Sequence, residues 1–551
     1  EADASLEFED GEESGDQDNS VENEAEVEFD ASEPELSEEV TVEEEEDGDA
    51  VVENDLTSEE SVDAAGSGEV LSGKCGDNLT WTLEDEVLTI SGTGDMYTYE
   101  GIWTYTAGVK YHEAPWRHEY FTSLVIGKGI TSISNNAFFG CCCLKTVEMP
   151  DVKNIGDNAF FKCGMKTIDL SNVETIGSGA FEGCFNLETA DLPNVEALKS
   201  AVFSECDRLQ TANVPKVKTI GSRVFYDCDE LKTVEMPQVE TIEDSAFYKC
   251  SVLESVELPL VKKIGEYAFD NCENLKTAKI PQVETIGKRA FESCSFDTID
   301  IPRVKEIGGV AFHGCRNLKT IELPEIELIE DNMFCGCENL NEVKIPNAKT
   351  IEMGAFYGCK SLKAIDFSEV ESIGLAAFCD CENLKMVKIP QVETIGKNAF
   401  RRCYVLENVE LSNAKTIGEG AFVGCVSLKA IELPEVETIE KNAFGECSVL
   451  ENVDLPKAKI IGESAFANSG LDSLNMPQVE TIGGEAFKSC SLDASDFVLP
   501  EGLKSIGDGA FSGALSREML VIPSTVTDIG SYAFYSRISI VFFRGNPPTN
   551  V

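Results

Sequence analysis

The sequence predicts a solenoid of about nineteen short coils, preceded by a small β-rich segment and an acidic tail. Three observations predict this architecture. A phenylalanine returns at a nearly constant spacing, the apolar residues around it keep fixed offsets, and charged residues alternate in sign from one repeat to the next. A period of this length, sustained over most of a chain, is typical of stacked repeat units rather than of several globular domains.

Each repeat is marked by one anchor phenylalanine, with spacings of 21 to 24 residues that are mostly 22. Such a period lies within the range of leucine-rich repeats. The fold class predicted is therefore a leucine-rich-repeat solenoid, with parallel β strands on one face and short turns or 3-10 pieces on the other. The anchors are Phe138, Phe160, Phe181, Phe203, Phe225, Phe247, Phe269, Phe291, Phe312, Phe334, Phe356, Phe378, Phe400, Phe422, Phe444, Phe466, Phe487, Phe511 and Phe534.

Within one unit, a proline and a glycine slot indicate where the chain turns. Pro237 is expected to end the first strand because proline has no backbone N–H to donate. The glycine slot after the second strand is not expected to need a positive φ, since Lys199 and Glu243 occupy it in other repeats. The residues predicted to face the interior are Leu231, Val234, Met236, Val239, Ile242, Ala246, Phe247, Cys250 and Leu253.

Charges in the second strand of each unit support in-register parallel stacking. Neighbouring coils of a solenoid lie about 4.8 Å apart, so opposite charges at equivalent positions attract and like charges repel. We call this series the second-strand row. It runs through Glu196, Lys218, Glu240, Lys262, Glu284, Lys305, Glu327, Lys349, Glu371, Glu393, Lys415, Glu437, Lys459 and Glu480.

Of the 21 cysteines, sixteen follow an anchor phenylalanine by three residues. Equivalent side chains on successive coils point the same way, whereas a disulfide needs converging Cβ vectors, so these thiols are predicted to be free and buried. So many free thiols suit a reducing or anaerobic setting. The best metal candidate pairs His313 with Cys335, near Cys315 and Cys337; the first pair should face outward and the second inward, so no metal site is predicted.

Net charge is distributed unevenly along the chain. The total is -56, and residues 1–70 carry thirty acidic residues and no lysine or arginine. This tail has little apolar surface and repels itself, so we expect it to be disordered. A chain this acidic repels phosphate backbones, which makes nucleic acid an unsuitable partner. No apolar stretch reaches the about 18 residues that a transmembrane helix needs.

Residues 71–125 are expected to form an N-terminal β cap that covers the open end of a solenoid over 126–551, which itself ends in a capping strand. The repeat at Ile264-Gly265 with Ala268-Phe269, Cys272 and Leu275 resembles that of the BspA-like leucine-rich-repeat surface proteins. The opening Cys75-Gly76 segment and Ala114-Pro115-Trp116 resemble the module that precedes such repeats. This resemblance implies a curved solenoid, secretion or display at the surface of an anaerobic bacterium, and adhesion.

No catalytic residues and no cofactor are predicted, because the chain has three histidines and no nucleophile, phosphate or zinc motif stands out. The expected function is binding of a protein or glycoprotein by a monomer; the alternatives are a structural spacer and a carbohydrate-binding module. Two surfaces are candidates. The first is an acidic row at Glu148, Asp169, Asp191, Glu235, Glu257, Asp300, Glu322, Asp366, Glu410, Glu432 and Asp454. The second is an aromatic cap site at Tyr97, Tyr99, Trp103, Tyr105 and Trp116.

Overall fold

The structure is a computed structural model, and it describes residues 70–99, 113–492 and 497–548. The acidic tail predicted over 1–70 therefore lies outside the described residues, except for its last residue. In the described ranges the regular secondary structure consists of β strands joined by turns, and no helix is assigned. The repeating part is thus built from short strands and the turns between them.

The strands are short, and two of them normally belong to each coil. In chain order they are β1 (Leu71–Lys74), β2 (Leu79–Glu84), β3 (Val87–Gly92), β4 (Ser123–Ile126), β5 (Ser132–Ile133), β6 (Thr146–Glu148), β7 (Asn154–Ile155), β8 (Thr175–Ile176), β9 (Thr189–Asp191), β10 (Ala197–Leu198), β11 (Thr211–Asn213), β12 (Thr219–Ile220), β13 (Thr233–Glu235), β14 (Thr241–Ile242), β15 (Ser255–Glu257), β16 (Lys263–Ile264), β17 (Thr277–Lys279), β18 (Thr285–Ile286), β19 (Glu306–Ile307), β20 (Thr320–Glu322), β21 (Leu328–Ile329), β22 (Glu342–Lys344), β23 (Thr350–Ile351), β24 (Ala364–Asp366), β25 (Ser372–Ile373), β26 (Met386–Lys388), β27 (Thr394–Ile395), β28 (Asn408–Glu410), β29 (Thr416–Ile417), β30 (Ala430–Glu432), β31 (Thr438–Ile439), β32 (Asn452–Asp454), β33 (Ile460–Ile461), β34 (Ser473–Asn475), β35 (Thr481–Ile482), β36 (Ser505–Ile506), β37 (Ser516–Ile522), β38 (Asp528–Ile529) and β39 (Arg537–Phe543).

Strands of successive coils pair in parallel at equivalent positions, as Thr219 does with Thr241 and Thr241 with Lys263. The leucine-rich-repeat solenoid is therefore confirmed, but its strands are not confined to one face. The two-residue strands also form ladders, one of which joins ten successive coils from β21 to β38. Strands consequently line two sides of each coil. β-branched pairs such as Thr241-Ile242 favour extended backbone, as the residues of the three-residue strands do.

Two kinds of tight turn close each coil. Val239 donates its N–H to the carbonyl of Met236 at 3.3 Å, which places Pro237 at the second position of a β-turn, where its fixed φ is favourable. On the other side, the residues two before and two after the anchor, such as Ser245 and Lys249, have φ of 55° and 58°. Left-handed backbone occurs here at non-glycine residues in most coils, including Val310 at 64°. The sequence analysis located no such positions.

The core is a continuous stack of aromatic rings with aliphatic residues around it. Consecutive anchor phenylalanines lie 4.9 to 5.8 Å apart between ring centroids, and all the interior positions predicted for the unit at Leu231–Leu253 are buried. Trp116 extends the stack by one ring, 5.5 Å from Phe138, and donates its indole N–H to the carbonyl of Ala137. Trp116 lies 22 residues before Phe138, so it takes the anchor's place in an additional partial coil.

Before the first full coil, three antiparallel strands form an end sheet. Strands β1, β2 and β3 pair antiparallel, and β3 then pairs in parallel with β4, which continues into the coils through β6. The sequence analysis expected a β-rich cap here. The predicted boundaries of the cap and solenoid domains remain a proposal. At the other end β39 pairs with β37, and its Ile540 and Phe542 are 57 % and 54 % exposed.

The buried thiols take part in hydrogen bonding between coils, which the sequence analysis did not foresee. From Cys163 to Cys490, each cysteine that follows an anchor phenylalanine by three residues donates its thiol to the carbonyl of the anchor of the preceding coil, for example Cys272 to Phe247 at 3.1 Å. In the last coil Ser536 makes the equivalent bond to Phe511. All 21 cysteines are free; of the sixteen predicted to be buried, Cys141 is partly exposed and the other fifteen are buried. Burial raises the pKa of Cys184 to about 12, so these core thiols are protonated at neutral pH.

If the cysteine slot requires a donor, replacing Cys272 by alanine should cost more stability than replacing it by serine. We expect Cys272→Ala to lower the free energy of local opening by about 1–2 kcal/mol, because a hydrogen bond is lost and a small void remains. Cys272→Ser keeps the donor and should cost less. Native-state hydrogen exchange of the amides in β17 measures both; a larger loss in the serine variant would contradict a role for the donor.

Candidate functional site

The acidic row forms one exposed line on the side of the solenoid that carries the three-residue strands. All eleven carboxylates that the sequence analysis assigned to it are exposed. Most occupy the third position of their strands, where the side chain points away from the core because the middle residue points inward. Register pairing aligns them directly, as between Glu410 and Glu432 and between Glu432 and Asp454. The structure therefore brings the predicted row together.

Other rows of charge on the same solenoid are neutralised by ion pairs between coils. In the second-strand row, lysine Nζ and glutamate oxygen atoms of adjacent coils lie 2.6 to 3.0 Å apart, and Lys459 lowers the pKa of Glu437 through a hydrogen bond. The predicted alternation is thus confirmed as contact between coils. The other pairs of this kind in the row are Lys305–Glu284, Lys349–Glu327 and Lys415–Glu393.

In the acidic row, lysines interrupt the carboxylates only in the middle. Lys388 pairs with Asp366 at 3.2 Å, and Lys279 pairs with Glu257. Further along, three carboxylates at Glu410, Glu432 and Asp454 follow one another with no lysine in the same position. We call these three residues the acidic run. At a coil spacing of about 4.8 Å in water, each like-charged neighbour costs up to about 1 kcal/mol.

Beside the acidic run the surface has a shallow, open depression. Its lining includes the exposed Met386, the partly buried Val409 and the buried Ile431, together with Glu410 and Glu432. Depressions of the same kind lie further toward the N-terminus around Asp300 on this face. An open depression of mixed polarity fits an extended or folded macromolecular surface better than a small molecule, which needs an enclosing pocket.

The aromatic residues of the second candidate site differ in their exposure to solvent. Trp116 is fully buried and Tyr99 is 3 % exposed. Trp116 stacks on Phe138 at the start of the aromatic stack, and Tyr99 packs edge-on against Trp116. They are core residues here, and a ligand could not stack on them. Tyr97 is 44 % exposed. Trp103 and Tyr105 lie outside the described residues.

The residues weighed as a metal site face different ways, as the sequence analysis expected. Cys315 and Cys337 are buried and donate to the carbonyls of Phe291 and Phe312, whereas His313 and Cys335 are partly exposed. Within the described ranges no three histidine, cysteine or carboxylate side chains converge as metal ligands. What the sequence analysis missed is that Glu292, from the coil before, joins His313 at 2.9 Å; the period of about 22 residues places them together.

Comparison with known proteins agrees with this repeat. The family model described as "BspA type Leucine rich repeat region" matches residues 116–232, 199–319, 305–429 and 415–541, which together cover more than half of the chain. The chain belongs to the BspA-type leucine-rich-repeat family. The first matched residue is Trp116, the residue with which the aromatic stack begins. A search of curated protein sequences found no match.

Several solved structures are similar to this BspA-type solenoid. A leucine-rich repeat protein from Bacteroides ovatus is 24 % identical, with a TM-score of 0.44 over 74 % of this chain and 93 % of that one. A leucine-rich cell surface protein from Faecalibacterium prausnitzii is 25 % identical, with a TM-score of 0.36 over 63 % of this chain and 96 % of that one. In the part of the chain that the structure describes, no helix has the length and apolar character needed to cross a membrane.

If the acidic run costs the BspA-type solenoid stability, breaking it should stabilise the fold. Glu432→Lys restores alternation with Glu410 and Asp454, and we expect it to raise the free energy of local opening by up to about 1 kcal/mol. As a matched control, Glu437→Lys on the second-strand row removes the ion pair with Lys459, so it should lower the free energy of local opening. Hydrogen exchange of the β30 and β31 amides reports both effects; a loss of protection in Glu432→Lys would show that the run is not strained.

Proposed function

We propose that this chain is a binding protein displayed at the bacterial surface, and that it recognises a basic segment of a protein or glycoprotein through the acidic run. The site consists of Glu410, Glu432 and Asp454 with the apolar residues beside them. Surface display is part of the proposal because the BspA-like resemblance implies it. Catalysis and a cofactor are not part of it.

One observation carries the proposal: the acidic run does not alternate in sign as the second-strand row does, and strand pairing holds its carboxylates in register. From Glu196 onward, charges on neighbouring coils of the second-strand row alternate in sign and form ion pairs. The alternation breaks only where Glu393 follows Glu371. The acidic run instead places three carboxylates in line. The equivalent position of other coils accepts lysine, as at Lys388. A cationic partner would offset the repulsion between these carboxylates and so gain affinity from it.

The surroundings of the acidic run favour a macromolecular partner. Met386 is 51 % exposed and lines the same depression as Glu410, so the depression offers apolar contact together with charge. Interfaces between proteins combine these two features, with an apolar centre and a charged margin. A lysine- or arginine-rich strand or loop would match both, with its side-chain stems on Met386 and its charges on the carboxylates.

The test compares Glu432→Lys with Glu437→Lys, because both change the net charge of the full chain equally. The probes are lysine- and arginine-rich peptides and neutral peptides of the same length, with affinity measured by titration. We expect Glu432→Lys to weaken binding of the basic peptides about two- to fivefold, as loss of an exposed charge contact of up to about 1 kcal/mol would. Glu437→Lys should bind as the unchanged protein does. Binding should also weaken between about 50 mM and 300 mM salt.

Equal losses in the two variants would contradict a site at the acidic run and would indicate attraction by overall charge. If no basic peptide binds better than its neutral counterpart, the binding proposal fails and the structural spacer becomes the better explanation. Loss of binding on changing the exposed Tyr97 to alanine, with Glu432→Lys unaffected, would move the site to the aromatic segment.

A further inference from the structure

The two ends of the aromatic stack differ in what covers them. At the N-terminal end, Trp81 and Tyr99 pack edge-on against Trp116, the first ring of the stack. At the C-terminal end, Phe534 stacks on Phe511 at 5.6 Å, and within the described ranges no other aromatic ring stacks on Phe534. A stack of repeats needs a polar cover at each end, because its core is otherwise exposed there.

The side chains of the last strand show that this end is open. Leu520 of β37 lies three residues before Pro523, as the inward-facing Val234 lies before Pro237, and it is buried. Val541 pairs with Leu520 in register on β39, yet it is 39 % exposed. An inward position is therefore open to solvent here, because no described coil lies beyond β39.

Strand β39 also has an outer edge that no described strand covers. It pairs with β37 alone, and both strands have seven residues, more than any other strand in the described ranges. Between Arg537 and Arg544 its sequence contains neither a charged residue nor a proline. Charges, prolines and bulges are the usual means by which an edge strand avoids pairing with another chain. Because β39 lacks the first two along its length, it is suited to pair with a further strand.

The outward face beside this edge is apolar, unlike the same face of earlier coils. Met519, Ile540 and Phe542 are each more than half exposed, and Met519 pairs with Ile540 across the two strands. Val521 holds the position that Glu432 holds on the acidic row, and Phe542 is its partner on β39. We call Met519, Val521, Ile540 and Phe542 the apolar end patch. The face that carries carboxylates on earlier coils thus ends in exposed apolar side chains.

The distribution of charge favours contact between two copies of the chain at this end. The net charge of -56 makes two copies repel each other in general. After Asp528, however, the sequence contains no aspartate or glutamate, and it contains the two exposed arginines Arg537 and Arg544. Arg544 forms an ion pair with Glu501 of its own chain. Repulsion between copies is therefore smallest where the apolar end patch lies.

Strand β39 is complementary to itself in antiparallel pairing. When two copies pair about Val541, Ile540 of each copy lies opposite Phe542 of the other. Such cross-strand pairs of aromatic and β-branched side chains stabilise a sheet. Neither Arg537 nor Arg544 then lies opposite an arginine of the other copy. The apolar end patches of the two copies would form one continuous surface.

We propose that this chain forms a dimer in which two copies pair their β39 strands antiparallel and bring their apolar end patches together. The interface is isologous, because each copy contributes the same surface, and a two-fold dimer is the commonest form of self-association. Strands β37 and β39 of both copies form one sheet, which joins the two solenoids end to end. The dimer replaces the monomer expected from the sequence. It goes beyond the proposed function, because the acidic run lies on earlier coils.

The first experiment measures the mass of the full chain by analytical ultracentrifugation between about 0.1 and 100 µM, a range that covers the dissociation constants of many protein interfaces. We expect the mass to rise from one copy to two with concentration. The dimer should become stronger between about 50 mM and 300 mM salt, because screening weakens the repulsion between two acidic chains. Binding of basic peptides to the acidic run should weaken over the same range, so the two proposals can fail separately.

Two lysine variants test whether the apolar end patch is the interface. Ile540→Lys places a charge opposite Phe542 of the other copy. Because each dimer contains the change twice, we expect its dissociation constant to rise at least about tenfold. Ala364→Lys puts the same charge at the equivalent exposed position of β24 and should leave the dissociation constant unchanged. Hydrogen exchange of the β36 and β38 amides checks that both variants fold.

Pairing of the strands themselves can be measured without any substitution. In the unchanged chain, those amides of β39 that do not bond to β37 should exchange quickly at low concentration and slowly at high concentration. The amides of β36, which lies two coils away, should exchange equally at both concentrations.

Four results would overturn the proposal. The first is a chain that remains a single copy at about 100 µM, where an ordinary interface would be occupied. The second is equal dimerisation of Ile540→Lys and Ala364→Lys, which would place the interface elsewhere. The third is growth beyond two copies, which indicates head-to-tail contact instead of a two-fold interface. The fourth is a single-copy chain that floats with phosphatidylcholine vesicles and loses this in Ile540→Lys, which would assign the patch to a lipid surface.

Discussion

The hydrogen bonds between one coil and the next are the constraint on which the rest of the structure depends. A two- or three-residue strand has too few contacts to be stable alone, and neither series of strands forms a hairpin. Each coil is held along most of its circuit, through β-ladder bonds and through bonds in the turn such as Phe247 to Ala268 at 2.7 Å. Because these bonds connect equivalent positions, every side chain meets the same position of its neighbour. The aromatic stack, the thiol bonds and the charge pairing all follow from this register.

The features that repeat were predictable from the sequence. The spacing of the anchor phenylalanines predicted the coil length, and the fixed offsets of residues such as Leu231 and Ile242 predicted which side chains face the interior. The alternation of charge through Lys262 and Glu284 predicted parallel stacking in register. Features that depend on backbone geometry were not. Ser245 and Val310 adopt left-handed φ because hydrogen bonds to the next coil hold them there. No pattern of side chains in the sequence predicts this backbone conformation. Trp116 was assigned to a cap surface because its place as an anchor is visible only once Phe138 is seen to stack on it.

The candidate sites could be predicted in part for the same reason. The acidic row was visible as a list of positions, but the significance of Glu410, Glu432 and Asp454 depends on the contrast with paired rows, which requires the ion pairs to be seen. Glu292 and His313 lie in different repeats and share no motif, so their contact follows only from stacking. A repeated scaffold makes such sites recognisable: wherever a position departs from the pattern without a structural reason, function is a natural explanation.

The claim that each coil is a unit held only by its neighbours is tested most directly by deleting one coil. Removal of residues 371–392 joins Val370 to Glu393, keeps the register and leaves Lys349 beside a glutamate. Removal of half that segment, 371–381, places strands against turns. Hydrogen exchange of the amides from β29 to β36 distinguishes the two. The account predicts native protection in the whole-coil variant and loss of protection beyond the deletion in the half-coil variant. Equal loss in both would contradict it.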